Sequence, residues 1–129
     1  MTTTVEFEKF VQEAFNRLPV HTREKIKNVA LLVENEPSPN VREQENLDEN
    51  ETLLGYYQGV PLSVREYGAS MMLPDTITLY KTPIENAALE DGIDVLDVIT
   101  DTIWHEYAHH FGMDEAEVRA RERKRSTFR

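Results

Sequence analysis

The sequence predicts an α+β fold, in which a small mixed sheet of about three or four strands packs against helices. Two segments, 4–17 and 93–111, repeat apolar residues at the three- and four-residue spacing of amphipathic helices. Two others, 29–33 and 75–81, have the continuous apolar and the alternating patterns of strands. Because these patterns are interleaved along the chain, we expect the helices and strands to share one core.

Composition limits the class of protein. The chain has 129 residues, enough for one domain, which we place at 1–118, followed by a basic and flexible C-terminal tail at 119–129. A net charge of −10 argues against a nucleic-acid partner, and no apolar run is long enough for a membrane span. The sequence has no cysteine and does not open on a signal-peptide pattern, so we expect a cytoplasmic protein. It does not indicate an oligomeric state.

In the N-terminal half, the helix at 4–17 is interrupted at Leu18-Pro19, and a second helix is predicted from there to about Lys27. The short apolar run at 29–33 predicts a buried central strand. Residues 35–51 are polar and rich in Pro and Asn, which predicts a loop. Residues 34–51, the acidic segment, hold seven acids and one base, and the tail holds six bases and one acid. Each charge run is either a solvated surface or a partner-binding segment.

In the C-terminal half, a single helical turn is predicted at 53–58 and a strand at about 62–66. The alternating segment 75–81 predicts a half-buried strand at a sheet edge, where an extended substrate backbone can pair with it. No Pro or Gly interrupts 93–111, and Gly112 supplies the helix stop. A last helix is predicted to begin near Asp114.

Residues 105–112 read HEYAHHFG, and they carry the functional signal of the chain. Positions i and i+4 share a helix face, so His105 and His109 can bind one metal ion. Glu106, beside the first histidine, is placed to act on a water molecule as a general base. Two histidines and a carboxylate in this HExxH spacing are the arrangement of zinc hydrolases, which predicts a Zn²⁺ cofactor.

Catalytic zinc usually has three protein ligands and one open position. In one layout, HExxHxxGxxH, a Gly turns the chain so that a residue three positions later becomes the third ligand. Here Gly112 is followed at that position by Glu115, which we predict as the third metal ligand. Asp114 and Glu117 compete with it, although Asp114 can instead cap the last helix and Glu117 can complete a capping box.

Three further residues near the motif are open to more than one interpretation. His110 lies about 100° around the helix from His109, so it is either a packed histidine or a neighbour of the site. Asp101 is either an exposed helix acid or a hydrogen-bond partner of His105. Peptide hydrolysis also needs an oxyanion donor, for which Tyr80 and His110 are candidates.

In these residues the chain resembles the minimal zincin-like metallopeptidases of bacteria and archaea, small single-domain proteins with a HExxHxxGxxD pattern. The likeness includes the motif helix from His105 to Gly112. It also covers the segments Leu53–Leu62, Leu73–Tyr80 and Asn28–Pro37. The resemblance implies a compact minimal zincin fold, a bound zinc and peptidase activity, with His105 and His109 as ligands and Glu106 as the base. Glu115 stands where the family has Asp, and its extra methylene requires the carboxylate to retract or the turn to shift.

Two functions follow from this reasoning. The first is a zinc-dependent metallopeptidase, in which metal-activated water hydrolyses a peptide bond of a peptide or protein substrate and Glu106 is the general base. The second is a non-catalytic zinc-binding module with regulatory or interaction roles on the same scaffold. An open metal position distinguishes a catalytic site from a closed, four-ligand structural site.

Overall fold

The structure, a computed structural model, describes residues 2–26, 28–59 and 74–110. These residues contain five helices and a three-stranded mixed sheet, which confirms the predicted α+β class. The helices are α1 (Thr4–Arg17), α2 (Val20–Lys25), α3 (Pro39–Gln44), α4 (Lys81–Asp91) and α5 (Val95–His110), and the strands are β1 (Val29–Glu34), β2 (Gly55–Gln58) and β3 (Asp75–Tyr80). The predicted domain limit at 118, the basic tail, the strand at 62–66 and the helix near Asp114 lie outside the described residues.

Helix α1 forms where the sequence predicts it. Thr3 begins it with a capping box, in which its side chain accepts from the Glu6 backbone N–H and the Glu6 side chain accepts from the Thr3 N–H. Its buried residues, Phe7, Val11 and Ala14, lie at helical spacing on one face. This face packs against α5, so the first helix supports the helix that carries the HExxH motif.

The sheet has the strand order β1–β3–β2, with β3 in the centre. Strand β1 runs parallel to β3 and β2 runs antiparallel to it. Two predictions are therefore wrong: 75–81 does not form an edge strand, and among the described strands the apolar run at 29–33 lies at the edge rather than in the centre. Burial of the side chains is consistent with this strand order. Thr78 in β3 is buried, and its β-branched side chain suits a central strand, whereas Leu32 in β1 is 45% exposed.

Two segments differ from the predicted local structure. The polar segment 35–51 contains α3, which Ser38 caps by accepting a hydrogen bond from the Val41 N–H. The segment 53–58 is not a helical turn, because Gly55–Gln58 pairs with β3 as β2. A local cap decides the conformation of α3, and pairing with β3 decides that of β2. The average propensity of the residues does not decide either one.

Helix α4 follows β3 directly and contains a buried ion pair. The Nζ of Lys81 donates to the Oε1 of Glu85 at 2.7 Å, and the backbone N–H of Thr2 donates to Oε2 of the same carboxylate. Helix α5 then crosses the core, burying Ile99, Ile103 and Trp104 among others. In the described ranges, no helix combines the length and apolar character that crossing a membrane requires.

Candidate metal centre

The last two turns of α5 carry the two predicted histidine ligands. His105 and His109 are one helical turn apart, and their ring centroids are 4.5 Å apart. Their Nε2 atoms approach to 2.9 Å, within hydrogen-bond distance of each other, so the two ring nitrogens meet in the same region of space. His105 is half-buried and His109 is exposed, which leaves this region open to solvent.

The spacing of these two nitrogens tests whether the site fits a zinc ion. Two nitrogen ligands on a tetrahedral zinc, each about 2.0–2.1 Å from it, lie about 3.3 Å apart. The 2.9 Å between His105 and His109 is about 0.4 Å shorter than that, a difference that a small rotation of either ring removes. Neutral imidazole is also a preferred zinc ligand, so the histidine pair fits the metal in both chemistry and spacing.

The third ligand is not found in the described part of the chain. Within residues 2–26, 28–59 and 74–110, no group of three His, Cys, Asp or Glu side chains is arranged to hold a metal ion. Glu115, Asp114 and Glu117 lie outside those residues, and so does Gly112. Ligation by Glu115 therefore stays a prediction.

Glu106 is half-buried beside the histidines, and a backbone group of β2 holds it. Its Oε1 accepts a hydrogen bond from the backbone N–H of Tyr57 at 3.2 Å. Burial raises the pKa of Glu106 above its ordinary value, although the Tyr57 N–H and the two neighbouring histidines act in the opposite direction. Within the described residues, its other oxygen, Oε2, makes no hydrogen bond, so it remains available to a water molecule.

Gly55 allows β2 to approach α5 closely enough for this contact. A Cβ at Gly55 would lie 2.7 Å from Cγ2 of Thr102 and 3.4 Å from Cγ of Glu106, so a side chain there would separate the strand from the helix. Sequence reasoning missed both Gly55 and Tyr57. The one signal was the glycine itself, because an isolated Gly in a strand marks a close backbone approach.

Tyr57 makes two further contacts beside the site. Its ring stacks on His110, with 3.8 Å between the ring centroids and 15° between the ring planes. Its hydroxyl donates to Oδ2 of Asp75 at 2.9 Å. Tyr57 thus joins β2 to both β3 and the end of α5, which fixes the backbone that contacts Glu106.

The structure separates the two candidate oxyanion donors. Tyr80 is 1% exposed, and burial, together with the nearby Glu34, raises its pKa to about 12. A substrate carbonyl could reach its hydroxyl only if the core opened. His110 is exposed and stacked on Tyr57, so it is the accessible member of the pair.

A cleft of about 410 Å³ adjoins His105 and Glu106. His105 and Glu106 form one end of its lining, and the N-terminal part of α5 contributes Val98, Asp101 and Thr102. Asp101, one of the residues left open by the sequence, is half-buried and faces this cleft. The HExxH residues therefore border a concave space, as the residues of an active site do.

Comparisons with known proteins bear on the family and the fold of the chain. A family model described as zincin-like metallopeptidase matches residues 26–125. A solved structure, a conserved hypothetical protein from Thermus thermophilus, is similar with a TM-score of 0.56 and 24% identity over 84% of this chain and 94% of that one. This structural likeness concerns the fold alone. No curated protein matches the sequence.

Proposed function

The chain belongs to the zincin-like metallopeptidase family, and from that premise we propose that it is a zinc-dependent peptidase. His105 and His109 would hold the zinc, with Glu115 as the third ligand, and Glu106 would be the general base. The observation that carries the proposal is the convergence of the two imidazole nitrogens, 2.9 Å apart, beside a half-buried carboxylate at one end of a cleft.

Zinc, when bound, supplies Lewis-acid chemistry: it polarises the scissile carbonyl and makes water more acidic. The protein supplies proton transfer through Glu106. Its carboxylate takes the proton from the water as the oxygen attacks the carbonyl carbon. It then delivers that proton to the departing amine, so the peptide bond breaks into a carboxylic acid and an amine.

The surroundings of Glu106 suit this exchange. The Tyr57 N–H fixes Oε1 and leaves Oε2 to take the proton. In the absence of the metal, burial raises the pKa of Glu106 above its ordinary value, a direction that favours a group that must both accept and release a proton. A fully solvated glutamate would hold a proton less readily.

The position of β3 in the sheet changes where a substrate would pair. Both edges of β3 are occupied by neighbouring strands, so it cannot hold an extended peptide. Within the described residues, β2 has only one paired edge, and its Gly55 lines the cleft beside Glu106. We therefore assign backbone pairing with the substrate to the outer edge of β2 at Gly55, because the Tyr57 N–H is bound to Glu106.

The test compares hydrolysis of a peptide mixture by the zinc-loaded protein and by a Glu106→Gln variant, with products identified by mass spectrometry. Glutamine keeps an oxygen for the Tyr57 N–H and removes only the base. We expect the variant to bind zinc and to lose about 100-fold or more of the activity. Equal activity of the two proteins would rule out Glu106 as the base. No hydrolysis by the loaded wild type would favour a non-catalytic zinc module.

A further inference from the structure

We propose that the cleft beside Glu106 is a side-chain specificity pocket for lysine or arginine. The inference rests on the proposed peptidase function, which it extends by naming the class of substrate. It comes from the chemistry of the cleft walls, which the HExxH motif does not determine.

One face of α5 runs from the cleft to the reacting groups. Val98, Asp101, Thr102, His105 and Glu106 follow the spacing of a single helix face and all line the cleft. Because Val98 and Glu106 are eight residues apart, this face extends about 12 Å. A residue whose scissile carbonyl lies at Glu106 can therefore place its own or the adjacent side chain along this face.

The walls of the cleft are largely aliphatic. Leu54 comes from the segment before β2, Ala87 from α4, Ile93 from the connection between the two helices, and Val98 from α5. Ile93 is 48% exposed, so apolar surface reaches the mouth of the cleft. These walls fit the methylene stem of a long side chain, because burying each methylene group is favourable.

The charges in the cleft are mostly negative. Asp91, at the end of α4, and Asp101, on α5, contribute carboxylates to the lining, and among the described lining residues none is Lys or Arg. Asp91 is exposed and Asp101 is half-buried. An aliphatic stem that ends in a cation matches both the walls and these charges, whereas an acidic side chain would be repelled.

Binding of small probes tests the pocket without relying on hydrolysis. The ¹⁵N-labelled, zinc-loaded Glu106→Gln protein is titrated with Nα-acetyl-lysine methylamide, and separately with the norleucine and glutamate analogues. We expect shifts at the amides of Ala87, Ile93 and Val98, and binding of the lysine probe about fivefold tighter than norleucine. This preference should disappear at about 0.5 M salt, where ionic screening is strong.

Matched variants then assign the preference to the carboxylates. Asp91→Asn with Asp101→Asn should remove the preference for lysine. Glu90→Gln with Asp97→Asn removes the same charge from the same two helices outside the cleft, and should preserve it. Equal binding of lysine and norleucine, or shifts located elsewhere, would overturn the proposal.

A hydrolysis assay distinguishes failure of the pocket proposal from failure of the proposed peptidase function. In a peptide mixture, Glu106-dependent cleavage should occur next to Lys or Arg. Cleavage that depends on Glu106 but is indifferent to these residues would refute the pocket and leave the peptidase intact. Selective lysine binding with no hydrolysis would refute the peptidase and leave a cationic-side-chain site.

Discussion

Replacing Gly55 with alanine tests the close contact between β2 and α5. The new Cβ would lie 2.7 Å from Cγ2 of Thr102 and 3.2 Å from the carbonyl oxygen of Thr78. Thr102 cannot rotate away at no cost, because its hydroxyl donates to the Val98 carbonyl at 2.7 Å. The strand must therefore move away from the helix, and overpacking of this kind costs about 1–3 kcal/mol.

Thermal unfolding by circular dichroism measures this cost. For a chain of 129 residues, we expect Gly55→Ala to lower Tm by roughly 3–12 °C. The control is Gly59→Ala in the segment after β2, where the nearest contact of an added Cβ is at 3.4 Å, and we expect a much smaller change. Movement of β2 would also lengthen the hydrogen bond from the Tyr57 N–H to Glu106.

A second substitution checks the physical cause. Thr102→Ser removes Cγ2 and keeps the hydroxyl, so it removes the 2.7 Å clash with the new Cβ. The free energy of unfolding of the double variant should be about 1 kcal/mol higher than the sum of the two single-variant effects predicts. The contact of the new Cβ with the Thr78 carbonyl remains. Strictly additive effects, or an unchanged Tm in Gly55→Ala, would refute the claim that this glycine sets the distance between strand and helix.

Three further changes test groups in the site and elsewhere in the fold. In zinc-free protein, Glu106→Gln should raise Tm at pH 7, because burial raises the pKa of Glu106 and its ionised form therefore costs stability. That gain should vanish near pH 4, where the wild-type carboxyl is protonated; a gain independent of pH would refute it. Glu85→Ala should lower the free energy of unfolding at pH 7 by about 3 kcal/mol in urea titrations, because it leaves Lys81 buried without its carboxylate. Hydrogen bonds from Lys81 and Thr2 outweigh the effect of burial and lower the pKa of Glu85. The loss of stability in Glu85→Ala should therefore shrink as the pH falls below about 4, where the wild-type carboxylate becomes protonated. A loss that does not change with pH would contradict this expectation. Tyr57→Phe should lower the free energy of unfolding by about 1 kcal/mol, because it removes the hydrogen bond from the hydroxyl to Asp75. An unchanged urea midpoint would count against that hydrogen bond.

Local patterns predicted α1 and α5 well, because helical spacing reports directly on a buried face, whereas the short α3 was predicted as a loop. The range 4–17 coincides with α1, and 93–111 contains all of α5. The segments of β1 and β3 were also recognised as strands, but β2 was predicted as a helical turn, and the order of the strands in the sheet was not predicted. Strand order depends on pairing between residues distant in sequence: β1 and β3 pair across more than 40 positions, from Val29 to Asp75.

For the candidate site, the sequence predicted the residues of the motif but not their surroundings. The HExxH spacing follows from helix geometry, so the convergence of His105 and His109 could be predicted from the chain alone. The contact of Tyr57 with Glu106 could not, because it joins a strand and a helix 49 positions apart. The cleft and its carboxylates likewise depend on how α4 and α5 meet.

Zinc content, measured by elemental analysis after dialysis, tests the central claim most directly. The wild type should retain about one zinc per chain, and His109→Ala should retain almost none, because it loses one of the two nitrogen ligands. His110→Ala is the matched control, since it removes the adjacent imidazole of the same helix, and it should bind zinc as the wild type does. A wild type that fails to bind added zinc, or a His109→Ala variant that keeps it, would contradict the assignment of a zinc site to this helix.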